Sequence, residues 1–502
     1  MAIIKQSNTA LVWLRNDFRT LKNDSLIYAS QKHKHVCAIY VFKKKEFIKR
    51  SAQLWWLYHS IKNLKSKLNQ YNINLEIACA DSYSEVFDKI SSKKPLSIYW
   101  NKIYEPSFLL FDKKISNLFK SKNIDFKIFK GNILNEVDEV KKKDGTPFKV
   151  FTPFWKTSEK FYLDKGFNKE HKLIVTEKKI NFLEQTIDLE TILPKKKWHT
   201  GFEKLWKPSE EKALENIKYF IKNKLSNYGD NRDVPGIDGT SKISPYLAFG
   251  QIHVETIWEE CQKIKKKNIS FRKFINELGW REFSHSLINY FPEMLKGNLR
   301  KDFDNFPWID NKKHLIAWKQ GMTGYPIVDA GMRELCETGW MHNRVRMVTA
   351  SFLVKHLRIH WLEGERHFRD CLLDFNEANN VAGWQWVAGC GADAAPYFRI
   401  FNPILQGERF DPLGNYVKKW IPELSLVPKN FIHKPWELNE HIKDFELGKT
   451  YPKPIVIHEE ARNAALEAFK SIKKKNYIEP QQCLYFFPEP HKHLSFLPIF
   501  LL

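Results

Sequence analysis

The stretch NNVAGWQW, Asn379 to Trp386, sets two carboxamides and two indoles side by side, shortly ahead of CGADAAPYFRIFNP at residues 390–403. Adjacent asparagines are weak helix formers. Trp384 and Trp386, two positions apart, cannot share a face of a helix. Such a stretch is either a wet, aromatic corner of a core, or a place where polar groups and rings each serve a ligand. The rest of the chain has to decide which.

The chain is 502 residues long, enough for two or three domains around a sizeable core. With 43% hydrophobic and 14% aromatic residues it reads as globular throughout. Its formal charge of +23 and pI of about 9.4 make the surface broadly positive. Short lysine runs recur, as at Lys141–Lys143 and Lys265–Lys267. They are read either as solvated faces of a lysine-rich chain or as contacts for a polyanion, whose backbone releases counterions to clustered cations. Charge alone leaves both open. The seven cysteines (37, 79, 261, 336, 371, 390 and 483) are scattered, odd in number and free of any CxxC pair. That pattern fits a reducing compartment and offers neither a disulfide framework nor a metal site. The first residues, MAIIKQSNTALVWL, lack a signal-peptide pattern, and no apolar run reaches bilayer length. The expectation is a soluble, cytoplasmic protein without membrane or metal.

Residues 1–130 alternate short apolar runs (ALVWL, VCAIYVF, LEIACA, LSIYW, FKIF) with helical stretches at 51–68 and 106–120. This predicts a doubly wound α/β domain with buried parallel strands. No GxGxxG follows the first strand, so a dinucleotide site of the usual kind is not supported there. Residues 131–197 show turn signals and few periodic runs and read as an interdomain connector. Residues 198–476 read as an all-α domain, with helices over 246–266, 271–290, 328–337, 343–361 and 364–373. Residues 477–502 break register with everything before them and form an atypical tail.

Several residues of the helical half invite chemistry. Glu277, Trp280 and Ser284 share one helical face, where a carboxylate beside an indole suits a flat ring with hydrogen-bonding edges. The plainer alternative pairs Glu277 with Arg281 and leaves Trp280 as core. The next helix adds Asn343, Arg344, Arg346 and Met347. If it runs on to Trp361, Asn343 and Trp361 point the same way, roughly 27 Å apart. Trp308, Trp361 and Trp384 lie on separate segments, either as core or as a hopping path for an electron. Tyr228, Thr240, Ser241 and Ser244 precede a helix, where hydroxyls and free N–H groups hold a phosphate or act as ordinary caps.

The motifs LVWLRNDFR (11–19), DGTSKISPYLAFG (238–250), NELGWREF (276–283), TGYPIVDAGMREL (323–335), TGWMHNRVRM (338–347) and the 379–403 stretch together resemble the photolyase/cryptochrome flavoprotein family. The likeness is strongest to the bacterial-type members that repair cyclobutane pyrimidine dimers, and it runs from about residue 10 to 475. The resemblance implies an α/β antenna domain, a connector and an all-α domain holding one non-covalent FAD, active as the anionic hydroquinone. It implies that Tyr228, Thr240, Ser241, Lys242, Ile243 and Ser244 hold the FAD phosphates and ribose, with Arg281 at a phosphate and Phe274 over the cofactor. It sets Arg346 and Asp374 as a salt-bridged pair beside the flavin ring, Asn380 facing flavin N5, and Trp384, Trp361 and Trp308 as the photoreduction chain from flavin to surface. Trp280 and Trp386 would pack on the lesion, Glu277, Asn343 and Met347 would meet its edges, and Arg344 and Gln406 would contact DNA. The family's loop usually carries two Asp; here DFNEANN puts Asn376 in the second place, whose carbonyl would face the flavin N3–H. The implied partner is UV-damaged DNA and the implied state a monomer. A second antenna chromophore (folate, deazaflavin or another flavin) is open, with YWNKIYEPSF (99–108) in the right domain. A blue-light receptor and repair of (6-4) photoproducts are the alternatives; Asn380, Glu277 and Met347 favour the cyclobutane enzyme.

Overall fold

The five apolar runs near the start all become strands. In chain order the elements are β1 (Thr9–Leu14), α1 (Asp24–Lys32), β2 (His35–Lys43), α2 (Ala52–Asn69), β3 (Asn74–Ala80), α3 (Tyr83–Ser91), β4 (Ser97–Asn101), α4 (Pro106–Ser121) and β5 (Asp125–Phe129). The computed structural model describes residues 8–44, 52–92, 96–166, 171–184, 186–193, 199–394, 398–438 and 441–474. The tail at 477–502 lies outside the described residues.

The strands pair in parallel in the order β3-β2-β1-β4-β5. In β1, Val12 sits opposite Ala38 of β2 and Tyr99 of β4. Because side chains alternate along a strand, Ala10, Val12 and Leu14 pack with α1 and α2, while Leu11 and Trp13 pack with α3 and α4. Covering both faces is what makes the inner strands continuously apolar. β5 departs from the buried strand expected of it. It is an edge strand with one neighbour, and Asp125 and Lys127 reach solvent. Charges on an edge discourage pairing with another chain.

The segment 131–197, expected as a connector of turns, contains a 15-residue helix, α5 (Phe151–Lys165). Its Trp155 packs so tightly on a later helix that a Cβ added at Gly279 would lie 2.4 Å from the indole. That tertiary contact stabilises a helix whose own periodicity is weak. The helix expected over 246–266 is two helices, α6 (Ser244–Ala248) and α7 (Val254–Gln262). They are separated at Gly250, whose φ of +63° and 2.0 Å approach of a notional Cβ to the Asn16 carbonyl exclude any side chain. Arg19 donates to the Gly250 carbonyl at 2.9 Å, so the break seats the helical half against the end of β1.

Further along come α8 (Ile269–Tyr290), α9 (Pro326–Thr338), α10 (Asn343–Ser351), α11 (Trp361–Cys371), α12 (Glu377–Ala388), α13 (Pro403–Phe410) and α14 (His458–Lys474). The single helix expected over 343–361 is corrected. After α10 the chain makes a π-turn at Phe352–His356, passes Arg358 at φ +49°, and restarts at Trp361 with His360 as its N-cap. Asn343 and Trp361 therefore belong to different axes, and the distance built on one axis falls. α12 was not foreseen, because Asn379, Asn380 and Gly383 all lower helix propensity. Its start is set by the Asn376 side chain, which accepts from the Asn379 N–H at 3.0 Å, and by Glu377 in the first turn. Among the described residues no helix is long and apolar enough to cross a membrane, and no group of three or more His, Cys, Asp or Glu is placed to hold a metal.

Candidate flavin and substrate site

Helices α8 and α10 each pack against α12, which brings most of the singled-out residues together. α8 is buried nearly all round, and much of what it buries is polar: Glu277, Arg281, Glu282, Ser284, His285 and Ser286. A buried charge needs a partner. Glu277 finds it in Arg232, which donates to its Oε1 across 45 positions of sequence. The local Glu277–Arg281 pair is not made. Arg281 turns to the adjacent Glu282 at 3.2 Å, whose other oxygen accepts from the Leu134 N–H at 2.8 Å. Burial pushes Glu277 up to about 7, with Arg232 pulling the other way. Glu282 is likewise pushed up to about 7 by burial. Arg232 escaped the sequence reading because nothing in YGDNRD marks it; only the turn of the chain beside α8 does so.

On α10, Arg346 meets Asp374 at 2.7 Å, both buried, and its Nε donates to the Met341 carbonyl. The same Asp374 oxygen accepts from the Ser244 hydroxyl at 2.7 Å. Ser244 is therefore no helix cap but the third member of this cluster. The other Asp374 oxygen, Oδ1, is buried without a hydrogen-bond partner, as are Asn343 Oδ1, Asn379 Oδ1 and Trp384 Nε1. Arg344 is turned inward: it pairs with Asp233 at 2.9 Å and lies 4.4 Å over the Phe410 ring. Met347 is fully buried. Gln406, on α13, is half-buried with an unpartnered Oε1.

On α12, Asn380 donates its amide to the Glu365 carboxylate at 3.0 Å and carbonyl at 3.3 Å, so Oδ1 is the end it offers elsewhere. Glu365 is in turn held by Arg369 at 2.8 Å. Trp384 is fully buried against Gly364, where a Cβ would come within 2.1 Å of the indole. Its ring meets Phe368 and Trp318 at 5.0 and 6.2 Å. Trp386 points the other way, half-buried, with Nε1 on the Asp393 carbonyl at 3.0 Å. Trp280 stacks flat on Phe151 of α5 at 3.8 Å, so one of its faces is taken by the protein. Ser284 donates back to the Trp280 carbonyl at 3.0 Å.

The loop before α6 is distinctive. Lys242 has φ +51° and pairs with Asp238 at 3.3 Å. Ser241 Oγ accepts from the Ile243 N–H at 3.4 Å, with Thr240 half-buried beside it. Tyr228 and Phe274 are buried edge to face at 5.5 Å. The Asn376 carbonyl caps α12, and its amide donates to Glu105 at 3.4 Å.

A second site lies at the carboxyl ends of β1 and β2, beside the point where strand order reverses between β1 and β4. There a cavity of about 350 Å³ is lined by Trp13, Tyr40, Phe42, Glu105, Phe108 and Phe375, among others. Glu105 is pushed up to about 7 by burial, and its Oε2 has no hydrogen-bond partner.

Two family models match the chain: DNA photolyase over residues 10–172, and the FAD binding domain of DNA photolyase over residues 274–471. The deoxyribodipyrimidine photo-lyase of Agrobacterium fabrum is 40% identical over 92% of this chain and 98% of its own length. Cryptochrome-1 of Arabidopsis thaliana is 31% identical, over 92% of this chain and 70% of its own. Among solved structures, a bacterial class III photolyase from Agrobacterium tumefaciens superposes with a TM-score of 0.86 at 39% identity, covering 94% of this chain and all of that one. The five-stranded parallel domain and the helical domain around Glu277, Arg346 and Asn380 are thus the two halves of a known architecture, and the chain belongs to the DNA photolyase family, to which the cryptochromes are also related.

Proposed function

We propose that the protein repairs cyclobutane pyrimidine dimers in DNA under light, with FAD held among α8, α10 and α12. The unpartnered buried atoms fit such a group: Asp374 Oδ1 and Asn379 Oδ1 accept, Trp384 Nε1 donates, and an apolar ligand would leave all three unsatisfied. When bound and reduced, FAD supplies the photoexcited electron that opens the cyclobutane ring and receives it back.

The remaining work belongs to the chain. Arg346 and Asp374 orient the ring's polar edge, and Ser244 fixes the carboxylate. Asn380, with its amide engaged by Glu365, offers a neutral carbonyl that accepts a hydrogen bond without donating a proton. Tyr228, Phe274 and the 240–244 loop serve the rest of the cofactor. On the substrate side, Trp386 and the open face of Trp280 supply flat surfaces, while Met347 and Asn343 line the edges. The positive surface follows the phosphate backbone, and a crosslinked dimer leaves the stack at lower cost than an intact pair.

The single observation that carries the substrate assignment is Glu277, buried on the same face of α8 as Trp280 and pushed up to about 7. A proton affinity raised this far lets the carboxyl offer a proton to a pyrimidine carbonyl, while Arg232 pulls it towards the charged form. The test is to reduce the purified protein in the dark, illuminate it with an oligonucleotide carrying a thymine dimer, and follow recovery of thymine absorbance. Recovery that requires light supports the assignment. A bound flavin that photoreduces without repair replaces it with a receptor or another lesion.

The cavity at the strand ends is proposed to hold the second chromophore. Its aromatic walls suit a conjugated ring, and Glu105 suits a ring N–H or amino group. Extraction of purified protein should release a second absorbing compound, and Glu105→Gln should lower its occupancy while FAD is retained.

A further inference from the structure

The outer leg of the expected photoreduction chain does not consist of indoles alone. Among the described residues, Trp361 and Trp308 make no direct ring contact. Each meets His360 instead: the imidazole lies 4.9 Å from the Trp308 ring and 5.7 Å, nearly parallel, from the Trp361 ring. The arrangement is held from both sides. The Ile309 N–H donates to the Arg358 carbonyl at 2.7 Å, pinning the residue after Trp308 to the turn before His360. Trp361 Nε1 donates to Asn298 Oδ1 at 2.8 Å. His360 Nδ1 accepts from the Leu362 N–H at 3.2 Å, which puts the neutral ring's proton on Nε2. His253 and His342 cap their helices through Nδ1 in the same way, so the cap does not set His360 apart; a ring placed against two indoles does. The ring is the part that capping leaves unexplained.

We propose that His360 bridges the two indoles, conveying an electron from Trp308 to oxidised Trp361, and that it does so only while uncharged. This rests on the reading of Trp384, Trp361 and Trp308 as a photoreduction chain. One electron leaves the Trp308 indole and fills the hole on Trp361. The imidazole is neither oxidised nor reduced, and no bond or proton is exchanged in the hop. A protonated imidazole would place a positive charge against both indoles and disfavour a radical cation on either. The charged groups acting on His360 are Arg366 and Glu363 of α11 and Asp304 of the turn before Trp308. Burial and then Arg366 lower its pKa from 6.5, against the opposing pull of Glu363 and Asp304. The bridge is thus neutral at neutral pH and fails as pH falls through that lowered value.

Transient absorption of the flavin-loaded protein tests this directly. His360→Asn keeps a capping acceptor but removes the ring; it should slow the appearance of oxidised Trp308 about tenfold or more, leaving oxidation of Trp361 unchanged. His360→Phe keeps a ring without a charge and should remove the acid sensitivity. In the dark, an NMR titration of the His360 ring should have its midpoint where the outer hop is lost. Oxidation of Trp308 at the wild-type rate in His360→Asn, or a titration midpoint unrelated to the acid loss, overturns the bridge. Trp384→Phe separates the two levels: if it photoreduces normally, the chain itself is misread and the proposal falls with it. If it is blocked while His360→Asn is unaffected, only the bridge falls.

Discussion

The inner strands of the parallel sheet and helix α8 are both buried nearly all round, yet they fill their interiors differently. The sheet's inner faces are Leu11, Val12, Trp13, Ile39 and Ile98; apart from Glu76, its buried polar side chains gather at strand ends. α8 buries Glu277, Arg281, Glu282, Ser284, His285 and Ser286 along its length. Apolar burial is non-directional, so the sheet tolerates small changes of shape. Polar burial needs a specific partner for each group, and several of those partners lie far away in sequence. The difference marks α8 and its neighbours as the part shaped for a ligand.

The largest break in this contrast comes from Asp374→Ala. It strands the Arg346 guanidinium in the interior and should cost about 3–5 kcal/mol, with loss of flavin retention, as read by chemical denaturation and absorbance. Next is Glu277, whose folded pKa of about 7 lies above its ordinary 4.5. The native state binds the extra proton between those values, so stability falls as pH rises through that window. Relative to Glu277→Gln, the wild type should be most stable below pH 4.5, lose on the order of 3 kcal/mol by about pH 7, and stay level above it. Denaturation of both proteins from pH 4 to 8 checks the sign; a flat difference would mean that Arg232 keeps the carboxylate charged.

Smaller effects sharpen the comparison. Gly364→Ala drives a methyl into the Trp384 ring and should cost about 1–3 kcal/mol, with a red-shifted indole emission as the ring is displaced from its buried site. Ile98→Val in the inner strand β4 should cost only about 0.5–1.5 kcal/mol and leave flavin content unchanged. If it released flavin, the two regions would be less independent than their composition indicates.

Legibility in the sequence followed the same divide. The inner strands were readable because burial on both faces forces continuous apolar runs, β5 because its apolar residues alternate, and α8 because its length and boundaries follow helix propensity. The breaks at Gly250 and at 352–360 were not readable, since each answers to a distant contact: the Asn16 carbonyl in one case, the Trp308 segment in the other. α12 is not legible because Asn379, Asn380 and Gly383 lower helix propensity, while the Asn376 cap that starts it shows only in the fold. The Arg346–Asp374 pair came from the family resemblance and is made. Arg232, Glu365 and His360 came only from the fold.

By itself, then, the sequence determined the alternating α/β half, the helical half and the order of motifs that place the chain in its family. These rest on local periodicity and on residue identity, both of which are written along the chain. Only the tertiary structure decided which partner satisfies each buried charge, where helices stop, and which rings touch. Those outcomes depend on groups tens to hundreds of residues apart, whose desolvation is offset only once the chain has closed around them.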